Sequence, residues 1–260
     1  FLPGPLHVLA ALAAGALGGA IWGFIPGALK ARTGAHEVIT TIMLNYVAIQ
    51  LTSWLLAGPM KDPSPFVVIA QTPKVLESAR LPQLLAPYRL HAGFLIALAM
   101  AVAVWWLLRQ TTLGFAIRTV GANAHAARYA GISVPGTIVT TMALSGLLAG
   151  LAGTVEVLGL NYYHTPGFSV GYGFDAIAVA LLGRSHPLGL VPSALLFGAL
   201  RAGATRMQFL SQIPIDIISV IQALILIFVA APEIVRFLYR IRAPRLEEQP
   251  RLSAHWAKAE

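Results

Sequence analysis

The chain has 260 residues, 57% of them hydrophobic and only 11% charged, with a formal net charge of +8 and no cysteine. A soluble domain carries about 25% charged residues, so this composition excludes that class and indicates an all-α polytopic membrane protein. Disulfides and thiolate metal sites are excluded, and the basic surplus sits at the ends of apolar runs, as in cytoplasmic loops, and not in a nucleic-acid patch.

The first expected span is Leu6–Leu29, along which Gly15, Gly19, Gly23 and Gly27 recur every four residues. One helix face is therefore nearly bare backbone, which suits close helix packing inside a bundle; a glycine face lining a pore is the alternative. Lys30, Arg32 and His36 follow, and Val38–Ala57 is the second span, with Asn45 and Gln50 as its polar members. Gly58–His91 is rich in proline and mixed charge, which suits an extended non-cytoplasmic connector with a short interfacial helix near Leu81–Leu85. The third span, Ala92–Leu108, carries Trp105 and Trp106 at an interface-like position near Arg109.

Thr111–Ile132, TTLGFAIRTVGANAHAARYAGI, is a polar island between apolar runs. Asn123 is a good N-cap, Ala124–Ala130 a helix-forming run and Gly131 a left-handed C-cap, so a short helix is expected there. A helix that short is marginal alone and must dock on a partner.

The island resembles the cytoplasmic coupling segment of permeases in the branched-chain amino acid, ribose and nucleoside group of ABC importers. Leu113, Gly114, Arg118, Gly121, Asn123, Ala127, Arg128, Tyr129 and Gly131 carry the likeness and are the candidate ATPase-coupling residues. A second stretch, Glu37–Tyr46, is similar to the nucleoside and simple-sugar branch, with His36 standing where that branch usually has Asn. The resemblance implies a coupling helix seated in a groove of a separate ABC ATPase subunit, with ATP and Mg bound there and no cofactor on this chain. It also implies a second permease subunit, identical or homologous, an external substrate-binding protein, and a multi-pass location in the plasma (inner) membrane of a prokaryote. Family members are longer at the N-terminus, so the permease domain, residues 1–241, is expected to be N-terminally incomplete.

The fourth span is Val134–Leu158, with Ser145, Gly146, Gly150 and Gly153 as small residues and Glu156 near its far end. If the island is cytoplasmic, this span ends outside, whereas the Arg-rich tail from Arg236 belongs inside. The two remaining apolar runs, Leu188–Thr205 and Ile215–Ala231, cannot reconcile those ends. Asn161–Gly183 must then be a crossing itself, an irregular stretch over Asn161–Gly173 followed by a short helix over Phe174–Leu182. The fold expected is about six full transmembrane helices, one broken crossing with a half-helix, a coupling helix, and a cytoplasmic tail at 242–260.

The broken crossing combines hydrogen-bonding groups, aromatic faces and glycines, which suits a planar base or a sugar. Asn161, Tyr163, Phe168, Tyr172, Phe174 and Asp175 are its candidate path residues, joined by Asn45 and Glu156. A non-cytoplasmic loop with an interfacial aromatic belt is the alternative, and Asp175 also suits the first turn of the short helix. Arg201 is placed to pair with an acid or to snorkel.

No G-x-x-x-x-G-K-[ST] loop occurs, and no catalytic constellation or metal-ligand set stands out, so the chain is expected to be a transport subunit and not an enzyme. Import of nucleosides or simple sugars by alternating access is the function the resemblance implies. An ion-coupled secondary transporter of a small polar solute is the alternative, and an inverted repeat with a buried acidic ion site would favour it.

Overall fold

A computed structural model of the chain describes residues 4–64, 69–85, 89–168 and 171–211, and the isolated positions 217, 220, 221, 223, 224, 227 and 228. The expected span at 215–231 is only partly covered, and Asp216 and the tail at 242–260 lie outside the described residues. Among the described residues, four helices are long and apolar enough to cross a membrane: α1 (Gly4–Thr33), α2 (Glu37–Ala57), α3 (Gly93–Gln110), and α6 (Val134–Glu156) with the π-helical turn Val157–Asn161 that continues it. A fifth long helix, α8 (Leu190–Ser211), occupies the expected Leu188–Thr205 run but carries Arg201 and Arg206, and it is not one of those four.

The core contact is α1 against α6, and glycine makes it. A Cβ on Gly19 would stand 2.8 Å from the Gly150 Cα, and one on Gly23 would stand 3.0 Å from the Gly146 Cα. Gly15 faces Thr154 and Gly27 faces Met142, so the two helices run antiparallel with their i, i+4 ridges of small residues in register. This favours the packing reading of the glycine face over the pore reading. Gly153 points into open space and does not belong to the contact.

Short polar turns join the helices. Gly34, at φ 68°, returns its N–H to the Lys30 carbonyl, and the Lys30 ammonium meets the Glu37 carboxylate at 2.7 Å across the α1–α2 turn. At the end of α3 the Thr111 side chain caps a further helix, α4 (Thr112–Ala122), accepting from the Gly114 N–H at 3.0 Å. A Cβ on Gly114 would lie 2.6 Å from the Leu108 Cα, so only glycine permits this tight reversal. α4 is absent from the sequence-based expectation.

The connector differs from expectation. In place of an interfacial helix at Leu81–Leu85 there is a 3₁₀ turn, Glu77–Ala79, then a small antiparallel pair, β1 (Gln83–Leu85) and β2 (Leu90–His91). Pro82 supplies the reason, because it lacks an N–H and pushes Leu81 toward extended backbone. The Leu81 N–H then donates to the Leu158 carbonyl at 3.0 Å, fastening the connector to the end of α6, and Leu81 is only 4% exposed.

Candidate functional site

Two places gather the candidate residues, at opposite ends of the α1–α6 pair. The first is an elbow of α4 and α5 (Ala124–Tyr129). Asn123 breaks the helix between them with extended backbone, and its side-chain oxygen accepts from the N–H groups of His125 and Ala126 at 2.9 and 3.1 Å. The C-terminus closes as a Schellman motif, with Ile132 N–H to the Ala127 carbonyl and Gly131 N–H to the Arg128 carbonyl, while Gly131 takes φ 77°. Asn123 and the left-handed Gly131 therefore stand where expected, while α5 ends at Tyr129, one residue earlier than the run Ala124–Ala130 suggests.

The elbow is seated on its own chain by few residues. Ala127 is fully buried, Gly114 is buried, and Leu113 is half-buried. Gly121, Arg118 and Arg128 are exposed, and Tyr129 is 94% exposed, so an aromatic ring and two guanidinium groups stand outward from a capped helix pair. Tyr129 thus turns away from the chain instead of packing into it.

The second place is the break after α6. The π-helical turn Val157–Asn161 ends at Tyr162, which adopts φ 59°, and Gly171 at φ 92° opens α7 (Tyr172–Leu182). An irregular stretch followed by a short apolar helix is what the chain order predicts here, with α7 starting two residues earlier than Phe174. The stretch is held by the connector: His164 N–H donates to the Thr72 hydroxyl at 2.9 Å, Thr72 N–H to the His164 carbonyl at 3.0 Å, and Val75 N–H to the Tyr162 carbonyl at 2.7 Å. The Arg80 guanidinium lies 5.0 Å from the centre of the Tyr162 ring, and the His164 and Phe168 rings meet edge to face at 4.6 Å. Thr72 and Arg80 escape sequence reasoning because nothing local marks a contact so far along the chain.

The candidate path residues divide accordingly. Glu156, Asn161, Tyr163 and Phe168 are half-buried on α6, the π turn and the stretch beyond it. Tyr172 and Phe174 are 43% and 79% exposed in the first turn of α7, beside the half-buried Asp175. Asp175 is not a bare acid: its Oδ2 receives Arg201 Nη1 of α8 at 2.7 Å, while the same guanidinium lies 4.9 Å from the centre of the Tyr172 ring. Asn45 stands apart, exposed on α2, which touches α1 only sparsely and makes no substantial contact with α7 among the described residues.

A separate cavity of about 550 Å³ opens between α3, α6 and α8, walled by Phe94, Met100, Val104, Leu148 and Val191. Its nearly all-apolar wall offers little to a polar solute. No group of three or more His, Cys, Asp or Glu side chains able to hold a metal occurs among the described residues.

Comparison with known proteins places the chain in a family. Residues 1–230 match the family described as branched-chain amino acid transport system / permease component. A guanosine ABC transporter permease protein of Bacillus subtilis (strain 168) is 42% identical over 242 residues, covering 91% of this chain and 68% of that protein. A nucleoside ABC transporter permease protein of Lactococcus lactis subsp. cremoris is 35% identical over 234 residues, covering 87% of this chain and 63% of that protein. A glucose ABC transporter permease protein of Haloferax volcanii is 35% identical over 239 residues, covering 88% and 61%. The chain thus spans about two thirds of the length of these relatives. No solved structure matches it. With four apolar helices of spanning length and a family match over most of its residues, the chain belongs to the branched-chain amino acid transport system permease component family of multi-pass membrane proteins.

Proposed function

We propose that the chain is the membrane-spanning permease subunit of an ATP-driven ABC importer that carries nucleosides, with simple sugars as the second substrate class. The observation that carries this reading is the 42% identity, across 91% of the chain, to a permease named for guanosine transport. The helix elbow adds physical support. Hydrogen-bonded caps close α5 at both ends while Arg118, Arg128 and Tyr129 project outward, which suits a surface that must transmit a push from a docked ATPase.

The two ends of the bundle are distinct in the structure. Lys30, Arg32, Arg109, Arg118 and Arg128 belong to the end of the bundle where α6 begins, whereas the connector, the start of α1 and the break after α6 share the other end. The connector carries Lys61, Lys74, Arg80 and Arg89 of its own, so charge does not orient the chain; the elbow as the ATPase-facing surface puts the first end in the cytoplasm and the second outside. In this arrangement the whole permease domain has about six full crossings and one broken one, with residues 242–260 as a cytoplasmic tail in the inner membrane of a prokaryote. A second permease subunit completes the pathway, an external binding protein delivers cargo to the connector end, and two ATPase subunits hold ATP and Mg. Closure of the ATPases displaces the elbow and, through α3 and α6, switches the side to which the path opens.

The test is co-purification of the full-length permease with the ATPase encoded beside it. The unsubstituted pair should assemble and hydrolyse ATP, and Arg118→Glu with Arg128→Glu should abolish assembly while the permease itself still inserts. If no ATPase binds the unsubstituted permease, the importer reading fails and the break after α6 becomes the site of an ion-coupled transporter.

A further inference from the structure

Arg201, Asp175 and Tyr172 form one cluster across α7 and α8, and its parts are arranged more specifically than a helix tether requires. The ion pair is made through Arg201 Nη1 and Asp175 Oδ2 at 2.7 Å. A second oxygen of Asp175 and the other guanidinium N–H groups take no part in a hydrogen bond among the described residues. The pair is not sealed between the helices either, since the Arg201 and Asp175 side chains are 49% and 33% exposed. Meanwhile the guanidinium lies over Tyr172, fixing that ring, and the residue remains 43% exposed, so ring surface is left for a ligand. On either side of Tyr172 in sequence, a Cβ added to Gly171 or Gly173 would meet nothing within 4 Å, so the backbone beside the ring is uncrowded.

Charges set among apolar helices are costly, and they mark function where they line a path. Here they do two things for an aromatic platform. A cation on one face of a ring attracts through the ring quadrupole and holds the ring flat, and a carboxylate edge beside it accepts hydrogen bonds from ring N–H or exocyclic amino groups.

We propose that Tyr172, with Arg201 laid over it by Asp175, is a stacking platform for the planar heterocycle of a nucleoside, and that Arg201 is the positioning residue that makes this crossing select a nucleoside over a free sugar. The inference rests on the importer reading and narrows its substrate class. A sugar without a base has no π face to stack, so it gains nothing from Tyr172.

The experiment measures equilibrium binding of radiolabelled guanosine and of radiolabelled ribose to the detergent-solubilised permease–ATPase complex without the external binding protein. Guanosine transport by the complete reconstituted system is measured beside it. Stacking on an aromatic side chain is worth about tenfold or more in affinity. Tyr172→Leu should therefore weaken guanosine binding by about tenfold and leave ribose binding unchanged, and Tyr172→Phe should recover most of the loss. Arg201→Gln should weaken guanosine binding by a smaller factor of about threefold, consistent with an exposed cation–π contact, and Arg201→Lys should restore part of it. Unaltered co-purification with the ATPase shows that each variant is folded. Guanosine binding within twofold of the unsubstituted complex in Tyr172→Leu, or equal weakening of guanosine and ribose, overturns the platform, the latter leaving Arg201 a plain tether of α7 to α8. Absence of guanosine transport by the unsubstituted system overturns the nucleoside reading itself, a failure distinct from one confined to the variants.

Discussion

At the scale of single residues, the elbow depends on two positions that no side-chain packing can replace. Asn123 satisfies two of the N–H groups that a helix start leaves orphaned, and Gly131 takes a backbone angle of φ 77° that L side chains resist. Losing an N-cap costs about 1 kcal/mol, and placing a Cβ in left-handed backbone costs about 1–2 kcal/mol. α5 has 6 residues and little helical stability of its own, so either loss should fray it. Amide exchange at Ala127 and Ile132 is expected to quicken roughly fivefold in Asn123→Ala and by at least as much in Gly131→Ala, with Asn123→Asp close to the unsubstituted rate. Rates that stay unchanged in both variants would show that docking, not capping, holds the helix. These two caps are legible in the sequence because each acts within a few residues of itself. The partner of Asp175 is not, because Arg201 lies 26 residues away and only the seating of α7 on α8 brings them together.

The helices themselves divide along the same line. The apolar runs mark α1, α2, α3 and α6 plainly, and the four-residue glycine spacing marks the side of α1 that closes on α6. The spacing does not show which helix that side meets, since Gly146 and Gly150 become its partners only in the antiparallel register seen in the structure. α4 escapes notice because Gly114 and Gly121 weaken its helical signal, while the tight turn that requires Gly114 depends on the backbone of Leu108. The connector misleads for a related reason: its apolar pair at Leu84 and Leu85 suits a surface helix, yet bonds to α6 and to a second strand decide its form. The α1–α6 register gives a sharp expectation. Gly19→Ala must push the Gly150 backbone aside, whereas Gly18→Ala meets nothing within 4 Å. Overpacking of this kind costs about 1–3 kcal/mol, so the thermal unfolding midpoint of the solubilised protein should fall in Gly19→Ala and hold in Gly18→Ala. Equal midpoints for the two would mean that α1 and α6 do not meet along the glycine ridge.

For the molecule as a whole, the two candidate places stand at opposite ends of one rigid pair of helices, and that separation gives the transport reading its mechanical sense. A displacement applied to the elbow reaches the break after α6 along α6 itself, which runs from Val134, beside the elbow, to the π-helical turn at Val157–Asn161. The connector bonds the far end of the same helix through Leu81 and the stretch beyond it through Thr72 and Val75, so movement there is shared with the connector. The arrangement requires Lys74 and Ala126, both exposed, to lie on opposite sides of the bilayer. Because the chain has no cysteine, single replacements report this directly. A membrane-impermeant maleimide added to intact spheroplasts should label Lys74→Cys, and should label Ala126→Cys only after the membrane is broken. Labelling of both from outside would place the elbow and the connector on one face, and α6 could then neither cross the bilayer nor carry motion from an ATPase to the path. The reverse pattern would keep the crossing but put the elbow outside the cell, where no ATPase with access to ATP could reach it.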